Sequence, residues 1–418
     1  MDFAPPRGTL DLLPPDGGRM RVLYERAAAL ARLYGYRYVE TPGFENSELF
    51  SCTSGQTSDI VTKETYSFLD RGERPLTLRP EGTAPVMRAY LNKRHDMASP
   101  FKAYYLTRMY RYDRPQAGRY REHRQFGVEV LDAAGPAADV EVIVLGDELL
   151  RGVGLSRYEI QVNSIGDEAC RPAYREELVS FLVANRERLG DEHRDRLQDN
   201  PLRVLDCRDE ACRTVAAEAP RITERLCDAC REHFEAVLVG LREEGLEPVV
   251  TPTMVRGLDY YTRTAFEFAS LVLSEGQATL FGGGRYDGIA EALVGQTVPG
   301  VGFGMGLERV LLALGDEGVP APEEPGLVAF VVGFGEGRDA ARSLVRELRE
   351  AGVPTSGALE ERPLKAQLRM ADRAGATFAV IIGDEEMKES TVTIRRMSSG
   401  VQDSVDLRVA AAWISRQV

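Results

Sequence analysis

Residues 104–131 read YYLTRMYRYDRPQAGRYREHRQFGVEVL. The flanks, Phe101 to Tyr112 and Arg124 to Leu131, have the composition of two strands. Between them lies a polar loop, Asp113 to Glu122, rich in Arg and Gly. The pattern predicts an antiparallel pair with a long connection. Arginine stands at 108, 111, 114, 119, 121 and 124. Guanidinium groups on the inner face of such a pair can clamp polyphosphate, because the planar fork donates two hydrogen bonds at once. Composition alone equally permits a solvated basic hairpin.

Upstream, Arg19 to Tyr34 has helical apolar spacing and Gly35 is a natural stop. Tyr38 to Thr41 reads as a short strand ended by Pro42. Leu76 to Arg79 is another strand, with Pro80 opening a helix through Leu91. Downstream come a helix from Ala137 to Val153 and a strand from Tyr158 to Asn163. Residues 168 to 246 change character to helical and charged, and they hold four of the six cysteines. They read as an inserted helical subdomain. Strand-like segments resume at Pro248 to Val255 and Thr264 to Phe268, followed by glycine-rich Gly282 to Gly288. Val301 to Leu314 runs from strand into helix. Residues 315–326 have linker composition. Beyond them strand and helix alternate from Leu327 to Ile382, the pattern of an α/β domain with a mostly parallel sheet.

The chain has 418 residues, so two or three domains are expected. The boundaries fall at 1–318 and 327–418, with the insertion inside the first. No apolar run approaches the roughly 20 residues of a membrane span, and Met1 to Pro15 lacks a signal-peptide core. A cytoplasmic protein is therefore expected, without membrane association. The net charge of −13 argues against indiscriminate nucleic-acid binding but leaves room for a local basic patch. The four histidines include no HExxH spacing, and no Gly-x-Ser-x-Gly elbow occurs, which excludes two common hydrolase types.

Three further segments concentrate chemistry. Arg256-Gly257-Leu258-Asp259-Tyr260-Tyr261-Thr262 sets a charge and paired aromatics around a turn. Gly282-Gly283-Gly284-Arg285-Tyr286-Asp287-Gly288 would let a backbone approach a ligand. In Gly302-Phe303-Gly304-Met305-Gly306-Leu307-Glu308-Arg309, alternating glycines leave one strand face bare, so a flat ring could lie on it. Arg309 could then reach a phosphate or stack. Each alone also fits an ordinary turn or loop.

In order, these segments resemble a known set. The arginine hairpin resembles motif 2 of class II aminoacyl-tRNA synthetases, and Gly302 to Arg309 resembles their motif 3. Pro42 sits where motif 1 carries its dimer-interface proline. Arg256 to Thr262, Gly282 to Gly288 and Leu78-Arg79-Pro80-Glu81-Gly82-Thr83 resemble the signatures of histidyl-tRNA synthetases. The resemblance runs from Arg7-Gly8-Thr9 into the C-terminal domain. It implies an α+β fold: an antiparallel-sheet catalytic domain carrying the helical insertion, and a C-terminal α/β anticodon-binding domain.

The resemblance also implies roles. ATP and Mg²⁺ activate histidine, and a tRNA(His) hydroxyl then accepts it, in a homodimer. Glu81 and Thr83 would hold the α-amino group, and Gln125 the carboxylate. Glu129 and Tyr261 would read the imidazole nitrogens, with Tyr260 lining the pocket. Arg111 and Arg256 would bind the α-phosphate from two sides, and Arg309 the triphosphate. His123 departs from the pattern, since the family usually has Phe there, stacked on adenine. A non-catalytic relative, the histidine-sensing regulatory subunit of ATP phosphoribosyltransferase, shares the catalytic core. It usually lacks the domain present here after residue 326.

Cys207-x4-Cys212-x14-Cys227-x2-Cys230 lies wholly in the insertion. Four thiolates in two close pairs suit a tetrahedral structural Zn²⁺ site. Four reduced, partly buried thiols are the alternative. Cys52 and Cys170 read as packing residues.

Overall fold

The computed structural model describes residues 3–53, 63–190, 194, 197, 201–205, 207, 209–254, 260–274 and 276–417. The chain divides into two compact units, Met1–Glu323 and Glu324–Val418.

The strands of the first unit are β1 (Arg37–Tyr38), β2 (Phe44–Asn46), β3 (Tyr66–Leu69), β4 (Pro75–Leu78), β5 (Phe101–Tyr110), β6 (Glu122–Leu131), β7 (Tyr158–Ser164), β8 (Val249–Val250), β9 (Thr262–Ser270), β10 (Thr279–Arg285) and β11 (Gly300–Gly306). Eight of them form one sheet in the order β1-β5-β6-β11-β10-β9-β7-β8. The six inner strands are antiparallel, and the two-residue edge strands β1 and β8 add in parallel. β2, β4 and β3 form a separate small sheet.

The two-residue period of a strand sorts the side chains of the large sheet. Tyr104, Phe126, Val128, Val130, Phe266, Phe268, Val301, Phe303 and Met305 point to one face. Four helices cover it: Asp16–Leu33, Pro136–Val153, Asp228–Glu243 and Leu307–Glu317. The first of these buries Met20, Leu23, Ala27 and Ala31, a stripe at helical spacing. Ala103, Tyr105, Met109, Leu131 and Ala265 point to the other face, against the helices Thr83–Lys93 and Ile289–Val294. Gln125 and Glu129 alternate with Phe126 and Val128, so they share this second face.

Pro80 does not open the helix expected there, which starts at Thr83. The Glu81 carboxylate accepts the N–H groups of Thr83 (2.6 Å) and Ala84 (3.0 Å). It satisfies first-turn donors that have no partner within the helix and so sets the start.

The insertion has its own small core, built on Tyr174, Leu178, Leu182, Val204, Cys212, Val215 and Ile222. Its last helix, Asp228–Glu243, belongs elsewhere: Phe234, Val237 and Leu241 enter the main core. A Cβ on Gly240 would stand 2.8 Å from Val140, so that helix packs closely on Pro136–Val153.

In the second unit, β12 (Ala329–Gly333) pairs in parallel with β13 (Thr355–Gly357) and β14 (Phe378–Ile382). The helices Arg338–Glu350 and Leu364–Arg373 occupy the expected connections. The sheet continues through antiparallel β15 (Thr391–Arg396) and β16 (Gln402–Asp406), a hairpin the sequence reading did not place. Among the described residues, no helix is long and apolar enough to cross a membrane.

Candidate active site

Glu129 is the centre of the polar cluster on the second face. It is fully buried. Thr83 donates its hydroxyl to Oε1 at 2.8 Å, Tyr105 donates to the same oxygen at 3.3 Å, and Tyr286 donates to Oε2. Burial, with a smaller push from Glu81, raises its pKa to about 8 against the pull of these three hydroxyls. The phenols of Tyr105, Tyr260 and Tyr286 are likewise held well above their ordinary value, burial first. Glu81 is also raised by burial, opposed by its two N–H donors and the Arg111 cation. The pocket thus favours neutral or compensated groups at its base.

The glycines of β11 explain the shape. In register, Gly302 lies opposite Glu129 and Gly304 opposite Gly127, one pleat along from Gln125 on the same face. A Cβ on Gly302 would meet Glu129 Oε2 at 2.1 Å, and one on Gly304 would meet Gln125 Nε2 at 1.4 Å. These two glycines therefore make room for side chains of β6 and are not open floor for a ligand ring, which corrects that expectation. Gly306 differs: nothing lies within 4 Å of where its Cβ would stand. Gly82 and Gly127 admit the Tyr105 ring in the same way, since a Cβ on either would lie within 2.5 Å of it.

Tyr260 and Tyr261 are buried, with ring centroids 4.8 Å apart, and Tyr260 meets Tyr286 edge-on at 5.9 Å. Arg171 fixes the segment by donating to the Tyr261 carbonyl at 2.8 Å. Gln125 is buried, and its Oε1 meets no hydrogen-bond donor among the described residues. Such an acceptor is costly without a partner.

The arginines of the hairpin do different jobs. Arg108 is exposed and pairs with Glu122 at 3.2 Å. Arg119 pairs with Asp113 at 3.0 Å, and Arg121 lies 4.0 Å over the Tyr112 ring. Arg114 is exposed. The solvated-hairpin reading fits Arg108 and Arg114, whereas Arg119 and Arg121 are half-buried against the loop itself. Arg124 is buried beneath the site, where Glu308 accepts its backbone N–H at 2.9 Å and its guanidinium at 3.1 Å. Arg111 is half-buried, donates Nε to the Pro80 carbonyl at 2.8 Å and stands beside Glu81. Arg309 donates to the carbonyls of Thr279 (2.6 Å) and Gly118 (3.3 Å), bracing the hairpin loop. His123 sits close to Arg111 and Arg309. Burial and then these two cations push its pKa down to about 3, so the ring is neutral at physiological pH.

Glu81, Thr83, Arg111, His123, Gln125, Glu129, Tyr260, Tyr261 and Arg309 are thus gathered around one face. Arg256 lies outside the described residues. Sequence reading missed Tyr105 and Tyr286 as partners of Glu129. It also missed Glu308, which secures Arg124, and Arg79, which donates to the Pro42 carbonyl at 3.1 Å and ties that proline to the sheet. Tyr286 stood within a quoted motif. Arg285 beside it is wholly buried and bonds Asp139, Asp287 and the carbonyls of Ala133 and Gly135.

The four-cysteine site is not formed as expected. Cys212 neighbours Cys207 in the insertion's own core. Cys227 and Cys230 instead converge with Asp167 and Cys170. The insertion folds back on itself, so its last helix begins beside the first turn of Arg171–Ala184. Cys170 is therefore part of a cluster and is not an isolated packing residue.

Residues 8–310 match the family model of histidyl-tRNA synthetase, and residues 328–417 match that of the anticodon-binding domain. The histidine–tRNA ligase of Moorella thermoacetica is 48% identical over 406 residues, covering 96% of this chain and 95% of that protein. That of Halothermothrix orenii is 43% identical over 409 residues, with 97% of each covered. The crystal structure of apo S. aureus histidyl-tRNA synthetase superposes with a TM-score of 0.82 at 34% identity, covering 99% of this chain and 100% of that one. With the antiparallel sheet, the Glu129 cluster and the arginine hairpin in place, the chain belongs to the histidyl-tRNA synthetase family.

Proposed function

We propose that the chain is an ATP-dependent histidine–tRNA ligase, which joins histidine to the 3′ end of tRNA(His) through an adenylate. The observation that carries this is the buried Glu129 carboxyl, ringed by Thr83, Tyr105 and Tyr286, at the base of a pocket with Arg111 at its edge.

In this reading Glu129 and Tyr261 address the two imidazole nitrogens and Tyr260 packs against the ring. A competitor without a ring N–H leaves the buried carboxyl unpaired, which gives selectivity. Glu81 and Thr83 take the α-ammonium group. Gln125 positions the carboxylate, and its orphaned Oε1 supplies an acceptor for a substrate donor. The carboxylate attacks the α-phosphorus of ATP and pyrophosphate leaves. Arg111 on one side and Arg256 on the other stabilise the charge gathering on the phosphate oxygens. Arg309 faces the triphosphate, and Mg²⁺ enters as the counter-ion of the substrate ATP. The adenine lies by neutral His123, with open space at Gly306. The tRNA hydroxyl then attacks the adenylate carbonyl and AMP leaves. The second unit, residues 328–417, reads the anticodon.

A homodimer completes the proposal. Tyr38, Phe44, Phe68 and Leu69 are exposed on or beside the small sheet, an apolar patch suited to a second copy. The enzyme works in the cytoplasm, where free cysteines persist. The test is transfer itself: purified protein, Mg-ATP, labelled histidine and tRNA. Acid-precipitable histidine that depends on tRNA(His) supports the reading. Histidine binding without transfer would point to the regulatory-subunit alternative.

A further inference from the structure

We infer that Asp167, Cys170, Cys227 and Cys230 form a binding site for a thiophilic divalent cation of the zinc type. One ligand atom from each lies within 4.8 Å of all the others. Tetrahedral zinc with sulfur at about 2.3 Å needs sulfurs about 3.8 Å apart, so closure by at most about 1 Å completes the shell. The four residues form two x2-spaced pairs, Asp167-x2-Cys170 and Cys227-x2-Cys230, from opposite ends of the insertion.

Local structure supports ligation independently of the spacing. Cys170 immediately precedes the helix Arg171–Ala184, and Cys230 lies in the first turn of Asp228–Glu243. Both helices exceed three turns, so each holds its cysteine on a rigid element. The Asp167 N–H donates to Cys170 Sγ at 3.4 Å. Gly166, at φ +66°, allows that turn; a Cβ there would stand 2.6 Å from the same sulfur. Asp167 is divided between two tasks. Oδ2 accepts from Arg263 at 3.3 Å, while Oδ1 accepts the Ala169 N–H at 3.0 Å and lies 3.6 Å from Cys170 Sγ and 3.8 Å from Cys227 Sγ. A ligand carboxylate held on its far oxygen by a second residue is the usual outer shell of a metal centre. The arginine also offsets part of the charge of three thiolates and one carboxylate.

The site's work is structural. It clips the helix that seals the main core, Asp228–Glu243, to the turn that leaves β7. That turn also pairs with β9, through the Ile165 N–H to the Arg263 carbonyl at 2.7 Å. A small insertion core gains stability from such a clip.

The experiment is elemental analysis of the full-length protein purified without chelator. The expected result is about one zinc per chain. Cys170→Ser and Cys230→Ser should each lose nearly all of it. Cys207→Ser and Cys212→Ser should keep it. Arg263→Ala should weaken retention roughly 10- to 100-fold against a competing chelator. Asp167→Cys guards against variants that misfold: it should retain metal. Its cobalt form should show thiolate-to-metal absorption greater by roughly a third, as three sulfurs become four. Three results would overturn the inference. One is a wild-type protein that takes up no zinc when reduced and supplied with it. Another is metal content that follows Cys207→Ser and not Cys170→Ser. The third is a Cys227–Cys230 disulfide in protein isolated under reducing conditions.

Discussion

Substituting Glu129 by Gln keeps the side chain's size and an acceptor for Thr83 and Tyr105 but removes the ionisable group. In the ligand-free protein Glu129 has a pKa of about 8, so at pH 7 about nine-tenths of the molecules carry its proton. A substrate imidazole that donates its N–H to this residue needs the carboxylate, so binding at pH 7 must expel that proton. Calorimetry of histidine binding in two buffers of different ionisation enthalpy counts it. The wild type should release nearly one proton more than Glu129→Gln at pH 7, and the difference should shrink to about a tenth by pH 9. The affinity contributed by Glu129 therefore falls as pH drops below 8, by about tenfold per unit. Loss of the charged acceptor removes about 1.5 to 3 kcal/mol, a histidine KM roughly 10- to 100-fold higher in Glu129→Gln. Equal proton counts in the two proteins would refute the reasoning, because the proton would then stay within the complex. The stability counterpart runs with pH in the opposite sense. A carboxyl raised in the folded state stabilises fully below its ordinary value near 4.5, and the contribution is lost as pH rises through about 8. The wild-type melting temperature should therefore decline more steeply than that of Glu129→Gln from pH 5 to 8.

Gly304→Ala should raise the histidine KM with little change in melting temperature, because the new methyl collides with the movable end of Gln125. Combined with Gln125→Ala it should cost no more than Gln125→Ala alone, and additive losses in kcat/KM would contradict this. Arg285→Ala leaves Asp139 buried without its main cation and should lower unfolding free energy by about 3 to 5 kcal/mol, read from urea midpoints. His123→Phe should leave the pH profile of the ATP KM unaltered between pH 5 and 9, since the histidine is already neutral there. Arg256→Ala should abolish most adenylate formation while circular dichroism stays unchanged; near wild-type rates would remove Arg256 from the catalytic role.

The antiparallel pair was legible because two stretches of strand composition, 101–112 and 124–131, flank a polar loop rich in Arg and Gly. Its arginines were not individually legible. Their sorting into Arg111 at the pocket, Arg124 beneath it and Arg108, Arg114, Arg119 and Arg121 around the hairpin depends on partners such as Glu308, 184 residues away. The purpose of Gly302 and Gly304 was hidden for the same reason, since the pairing of β11 with β6 decides that the Glu129 and Gln125 side chains fill the space. Tyr105 looked like ordinary strand composition until Gly82 and Gly127 admitted its ring. The cysteine reading went astray because spacing favours neighbours in sequence. Chain reversal in the insertion brought Cys227 and Cys230 to Cys170, with an aspartate where a thiol pattern would be noticed. The β15–β16 hairpin was legible in principle: Thr391 to Arg395 alternates and Ser398-Ser399-Gly400 marks a turn.

The central claim is that this pocket selects histidine and activates it with ATP. The direct measurement is exchange of labelled pyrophosphate into ATP by the purified protein, with each of the twenty amino acids supplied in turn. Exchange supported by L-histidine alone is the predicted result. No exchange with histidine and Mg-ATP, or equal exchange with another amino acid, would contradict it.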